Sequence, residues 1–243
     1  MRLTRVHVTG PLAVGKDLII EGGAAGHIAR VLRLGTGDAL TLFDGSGAEY
    51  RARIEALGKD TVTVSVLEQH AIERESPLAL TLAQGLSRGE RMDWIIQKAT
   101  ELGTRRIVPL ITERSVVRLD PRQAQRKIQH WRAVTVAACE QCGRNRIPEV
   151  SAPLDLQEFL GHRSPGATHL LLSPTGELRV EDLTDIGTGV TVLIGPEGGL
   201  AESEQQAAIA AGFKPVRLGP RVLRTETAAL AALTIIQREF GDL

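Results

Sequence analysis

The sequence predicts an α/β protein with a small β-barrel at its N-terminus and a larger C-terminal domain built on a parallel sheet. Three observations carry this. Residues 38–69 alternate apolar and polar in the period of two that a half-buried strand requires. From Leu78 onward, short apolar runs alternate with amphipathic segments, the signature of βα units. Between them lies Glu73-Arg74-Glu75-Ser76-Pro77, a charged stretch ended by proline, after which the chain changes character. The expected boundaries are therefore 1–72 for the barrel, 73–77 for a linker and 78–243 for the α/β domain.

In chain order, a short helix is expected near His27 to Leu34. Leu40 and Leu42 open the strands, and Gly45-Ser46-Gly47 makes a turn. Tyr50, Ala52 and Ile54 oppose Arg51, Arg53 and Glu55, and Val62, Val64 and Val66 repeat the alternation after Gly58-Lys59-Asp60. Strands of the second domain are read at Leu78 to Ala83, Ile107 to Ile111, His169 to Leu172, Val190 to Ile194 and Val216 to Leu218. Helices are read near Arg91 to Leu102, Pro121 to Cys142, Glu202 to Ala211 and Thr227 to Phe240. The last carries Ala228, Ala229, Leu230, Ala231, Ala232, Leu233, Ile235 and Ile236, apolar nearly all round, which predicts burial on every side, in the core or against a second subunit.

With 243 residues, 42% of them hydrophobic, the chain can build a proper core. No apolar run reaches the roughly 18 residues of a membrane span, and Met1-Arg2-Leu3-Thr4-Arg5 lacks the apolar stretch of a secretory signal. Two cysteines make no disulfide framework, so a cytoplasmic home is expected. The formal charge is zero, yet the charges are uneven: residues 84–132 hold eleven Lys or Arg against five Asp or Glu, and residues 1–35 hold five against two. A confined basic face suits a nucleic acid; a solvated surface is the plainer reading. Only seven aromatic residues supply any stacking platform, so recognition is expected to lean on phosphate and shape.

The most informative stretch is the last quarter. Val190 to Ile194 opens into Gly195-Pro196-Glu197-Gly198-Gly199, and a second glycine-bearing turn, Leu218-Gly219-Pro220, leads through Arg221 to Leu223 into Arg224-Thr225-Glu226-Thr227. Such turns let bare backbone approach a ligand. Neither a Rossmann fingerprint nor a P-loop is present, because no Gly-x-Gly-x-x-Gly follows the first strand and no Lys-Ser/Thr follows Gly199. Thr225 admits two readings, helix N-cap or direct ligand contact. Cys139-x-x-Cys142 has no second pair, which disfavours zinc or redox chemistry, and no metal is expected.

Six separated blocks carry a resemblance: His27 to Arg33, Gln97 to Gly103, Thr112 to Ser115, Ala138 to Arg146, Ile194 to Gly199 and Leu218 to Leu230. The chain resembles the SPOUT class of S-adenosylmethionine-dependent RNA methyltransferases, and within it the ribosomal RNA small subunit methyltransferase E family, which methylates N3 of a uridine in 16S rRNA. The resemblance implies a PUA-like RNA-binding barrel, a SPOUT domain with a C-terminal trefoil knot, and a homodimer. It places S-adenosylmethionine against Leu172, Ser173, Ile194, Gly195, Pro196, Glu197, Gly198, Gly199, Leu218, Gly219, Leu223, Arg224 and Thr225. RNA is expected at Arg2, Arg5, His27, Arg30, Arg33, Arg88, Lys98, Arg114 and Arg144; His27, Arg30 and Arg33 recur at helical spacing and so share a face.

Methylation at N3 requires loss of an imide proton, which donors aimed at the uracil oxygens assist. Arg224, Glu226 and Glu101 are the candidate catalytic residues. Glu101, Glu197, Glu226 and solvent stand as alternative proton acceptors, with Glu101 alternatively a partner of Lys98 or Arg114. Other readings are a SPOUT enzyme acting on another RNA site, and a non-catalytic RNA-binding assembly factor.

Overall fold

A computed structural model describes residues 4–117, 119–162 and 164–243. The chain divides into two compact units, Met1–Glu75 with Val136–Ile147, and Ser76–Thr135 with Pro148–Leu243. The return of 136–147 to the first unit was not legible in the sequence.

The first unit holds β1 (Arg5–His7), β2 (Asp17–Glu21), β3 (Ala39–Phe43), β4 (Glu49–Leu57) and β5 (Thr61–His70) in one sheet of order β1-β3-β4-β5-β2. The expected alternation is present: Tyr50, Ala52, Ile54, Val62, Val64 and Val66 point inward and pack with Val6, Leu40 and Leu42. The sheet is mixed, because β1 pairs with β3 in parallel while the other ladders are antiparallel. Register shifts after Arg51 and Ile54 break the β4–β5 ladder, and such irregularities bend a sheet toward closure. A short helix α1 (Gly22–Gly26) runs into a π turn at His27–Val31.

The second unit holds β6 (Leu80–Gly85), β7 (Arg106–Ile111), β8 (Glu149–Val150), β9 (Leu154–Asp155), β10 (Thr168–Leu172), β11 (Val190–Ile194) and β12 (Lys214–Val216). Their order is β12-β10-β11-β6-β7-β8, with β9 also on β7, and every pairing is parallel. All five residues of the central strand β11 are buried, as a strand covered on both faces requires. The helices are α2 (Glu90–Glu101), α3 (Pro121–Cys142), α4 (Leu156–Gly161), α5 (Glu202–Ala210) and α6 (Thr225–Phe240), α3 passing into the first unit beyond Thr135. Helix α2 buries Met92, Ile95, Ile96 and Ala99, one stripe at helical spacing, and packs with α6. Within the single chain, Ala228, Ala229, Ala232, Leu233 and Ile236 of helix α6 are covered, while Leu230, Ala231 and Ile235 are only partly covered and Thr234 is exposed, so the core accounts for one side of it. Among the described residues, no helix is long and apolar enough to cross a membrane.

A candidate ligand pocket at the strand ends

Parallel strands deliver their following loops to one edge of the sheet, where ligands of open α/β folds bind. Here the turns after β10, β11 and β12 enclose a pocket of about 590 Å³. Every residue expected against the cofactor lines it, from Leu172 and Ser173 through Ile194 to Gly199, and from Leu218 and Gly219 through Leu223 to Thr225. Arg221 and Val222, within the expected second turn segment, line it as well, and sequence reasoning missed Arg91, Gln205 and Ala228, which line it too. For Arg91 the available signal was its place in the first turn of a helix that follows β6.

The glycines are dictated by contact. A Cβ on Gly195 would sit 2.9 Å from the backbone of Gly199 and Leu200, and one on Gly176 would sit 2.8 Å from the backbone of Val216. Gly199 (φ 68°) and Gly219 (φ 128°) lie in the left-handed region that glycine tolerates. The turn closes on itself as Gly199 N–H donates to Pro196 O at 2.9 Å, and Ser173 N–H donates to Val216 O at 2.9 Å.

Thr225 is the first residue of α6 and Arg224 its N-cap, without a side-chain cap. The Thr225 hydroxyl donates to Gly195 O at 2.7 Å and accepts from Gln84 Nε2 at 2.9 Å, so it ties the helix to the glycine turn.

The rim is charged. Glu197 accepts from Arg88 N–H at 3.0 Å and from Arg91 Nη1 at 2.8 Å, while Arg91 also lies 4.0 Å from Glu226. Burial works to raise the Glu197 carboxyl, but the Arg88 and Glu197 backbone N–H groups and the Arg91 guanidinium outweigh it and hold it below the usual carboxylate range. Arg114 donates to Gly198 O at 3.2 Å. Its loop is anchored by Glu204, which accepts from Glu113 N–H and Ala201 N–H, each at 2.8 Å. Arg224 is exposed; its carbonyl accepts from Ala228 N–H at 2.8 Å, and its side chain makes no hydrogen bond or ion pair among the described residues.

Other expected site residues fall elsewhere. Glu101 is bonded to Lys98 Nζ at 2.8 Å, the partner reading of that residue, and neither lines the pocket. Arg5 and Arg144, expected on RNA, are only 6% and 4% exposed. Arg5 pairs with Glu49 and donates to Asn145 Oδ1 at 2.6 Å, and Arg144 pairs with Glu75 at 2.5 Å. Side chains held in this way are turned from solvent, where a phosphate would meet them. Arg30 is exposed, its ion pair with Asp60 stretched to 3.9 Å. His27 and Arg30 lie in the π turn, but Arg33 follows it with φ 55°, so the helical-face argument ends at Arg30. Arg2 lies outside the described residues.

Cys139 is buried, and its hydrogen bond with Cys142 together with burial pushes the thiol up, away from the reactive thiolate. Among the described residues, no group of three His, Cys, Asp or Glu is placed to hold a metal ion.

Comparison with known proteins agrees with this geometry. Residues 74–237 match the RNA methyltransferase domain, and residues 20–67 match the RNA methyltransferase PUA domain. Ribosomal RNA small subunit methyltransferase E of Buchnera aphidicola subsp. Schizaphis graminum is 33% identical over 100% of this chain and 98% of its own. The same enzyme from Neisseria gonorrhoeae, solved bound to S-adenosyl methionine, superposes with a TM-score of 0.94 at 36% identity over 100% of both chains. A Legionella pneumophila protein, solved in complex with the same cofactor, gives 0.97 at 41% identity, again over 100% of both chains. Fold and pocket together define the class, an RNA methyltransferase that carries a PUA domain. The chain belongs to the RNA methyltransferase family and, within it, to ribosomal RNA small subunit methyltransferase E.

Proposed function

We propose that the protein transfers a methyl group from S-adenosylmethionine to N3 of one uridine in the 16S rRNA of the small ribosomal subunit, in the cytoplasm and as a homodimer. The observation that carries this is the pocket of three strand-end turns in a chain of this family. The residues present fit the cofactor. Leu172, Ile194, Leu218 and Ala228 offer apolar walls for a heterocycle, narrow glycine turns expose backbone donors and acceptors, and Glu197 and Glu226 complement a cation. The trefoil knot belongs to the same proposal, and the incompletely covered face of α6 supports a subunit contact there.

Bound S-adenosylmethionine supplies an electrophilic methyl group on a sulfonium. The chain must then present the uracil N3 as an anion in line with it. Arg224, exposed at the pocket and with no side-chain partner among the described residues, is placed to stabilise charge developing on a uracil oxygen. Glu197, held ionised by Arg88 and Arg91, is a weak base, which assigns it to positioning rather than to proton removal. Glu226 and solvent remain as acceptors. Outside the pocket, Arg30 and His27 of the barrel are proposed to meet RNA phosphates, with Arg33 beside them and Arg88 at the rim.

The test is transfer of labelled methyl to small subunits from cells lacking this protein, followed by digestion to nucleosides. N3-methyluridine at one site supports the proposal. Label in another nucleoside, or only in tRNA, assigns the enzyme to a different RNA target. Absence of label with a sound fold indicates an assembly factor.

A further inference from the structure

One polar side chain in the second unit is unaccounted for by the pocket it serves. Gln84 sits at the end of β6, in register with Ile194 of β11, in an otherwise apolar strand interior, and it is fully buried. Its Nε2 donates to Thr225 Oγ at 2.9 Å, to Gly85 O at 3.1 Å and to Gly195 O at 3.3 Å. Its Oε1 is buried and has no hydrogen-bond partner among the described residues. An unsatisfied buried acceptor is unfavourable, and a leucine of similar size would avoid it. The gain that offsets it must therefore come from Nε2. Gly195 O receives both this donor and the Thr225 hydroxyl, so one amide joins the turn after β11 to the first turn of α6. These are two walls of the pocket, and Gln84 itself lines neither.

We infer that Gln84 is a positioning residue: through the Gly195 carbonyl and the Thr225 hydroxyl it sets the spacing of the two pocket walls, and so the affinity for the methyl donor. The inference rests on the reading that this pocket holds S-adenosylmethionine.

Two readouts separate the inference from that reading. In the ligand-free protein, Gln84→Leu should speed hydrogen exchange at the amides of residues 195–199 and 225–228, with the melting temperature and exchange of β7 unchanged. Calorimetric titration with S-adenosylhomocysteine should show Gln84→Leu and Thr225→Val each binding about tenfold more weakly, and the double variant no worse than either, as members of one hydrogen-bonded unit behave. Thr225→Ser, which keeps the hydroxyl, should bind as the native protein does, and KM for the ribosomal subunit should stay constant while KM for the donor rises. Additive losses, or native exchange and affinity in Gln84→Leu, overturn the inference. Should Gln84→Leu fail to fold, the Thr225→Val and Thr225→Ser pair decides alone: equal affinity in the two overturns it. A native protein that binds no S-adenosylhomocysteine, yet whose exchange responds to Gln84→Leu, overturns the cofactor reading and leaves the coupling of the walls standing.

Discussion

At the scale of single residues, the pocket depends on positions where an atom has no room. Gly195→Ala places a methyl against the Gly199 and Leu200 backbone, so it should cost about 1–3 kcal/mol of stability and abolish binding of S-adenosylhomocysteine, as overpacking does. Gly198→Val presses on Arg114, whose Cβ stands 3.2 Å from the added atom, and should abolish binding while the sedimentation coefficient stays that of the native protein. Arginines divide by burial rather than by charge. Arg5→Ala removes one partner of a buried ion pair and should destabilise the first unit by about 3–5 kcal/mol, measured by denaturant unfolding. Arg30→Ala with Arg33→Ala should leave stability unchanged, weaken RNA binding and flatten its salt dependence. A native salt slope in that variant would return both arginines to the solvated surface.

At the scale of elements, what could be read in the sequence followed from pattern strength. Strand β11 and helix α3 have the predicted bounds, because five apolar residues ending in a glycine turn and a long segment between a proline and a glycine leave little freedom. The two-residue strands β8 and β9 and the six-residue helix α4 are too short to show a period, and they were not foreseen. The same limit applies to the site. The pocket walls were legible because glycine turns follow strands locally. Arg144 was not, because its burial beside Arg5 joins groups 139 residues apart. Gln84 left a faint trace, a single amide closing an apolar strand, but its bonds to Gly195 and Thr225 span 111 and 141 residues. Glu197 shows how an element sets basicity: the N–H of Arg88 and the guanidinium of Arg91, in the segment leading into α2 and in its first turn, depress its pKa. Glu197→Gln should therefore lower the rate of methyl transfer without changing the slope of its rise with pH. A slope altered by that substitution would make Glu197 the proton acceptor.

For the whole molecule, acid should act in two steps. Burial lowers the pKa of His7 against the opposing pull of Glu140 and Asp44, so its neutral form is favoured by folding. That contribution is complete above the unfolded value of about 6.5 and is lost as pH falls through the lower folded value. Glu49, depressed against burial by Arg74 and Arg5, adds a second contribution. It is present above the ordinary carboxylate value of about 4.3 and is lost as pH falls through the folded one. Melting temperature plotted against pH should fall gently below about 6.5 and steeply below about 4, and His7→Gln should remove the first decline only. Both groups belong to the first unit, so the pocket of the second should keep its ligand through the first step. The most direct measurement is calorimetric titration of the native protein and of Gly195→Ala with S-adenosylhomocysteine at neutral pH. One site per chain is expected in the native protein and none in the variant. Native affinity in a correctly folded Gly195→Ala protein would contradict it, because the glycine turn after β11 would then not be the wall of the methyl-donor site.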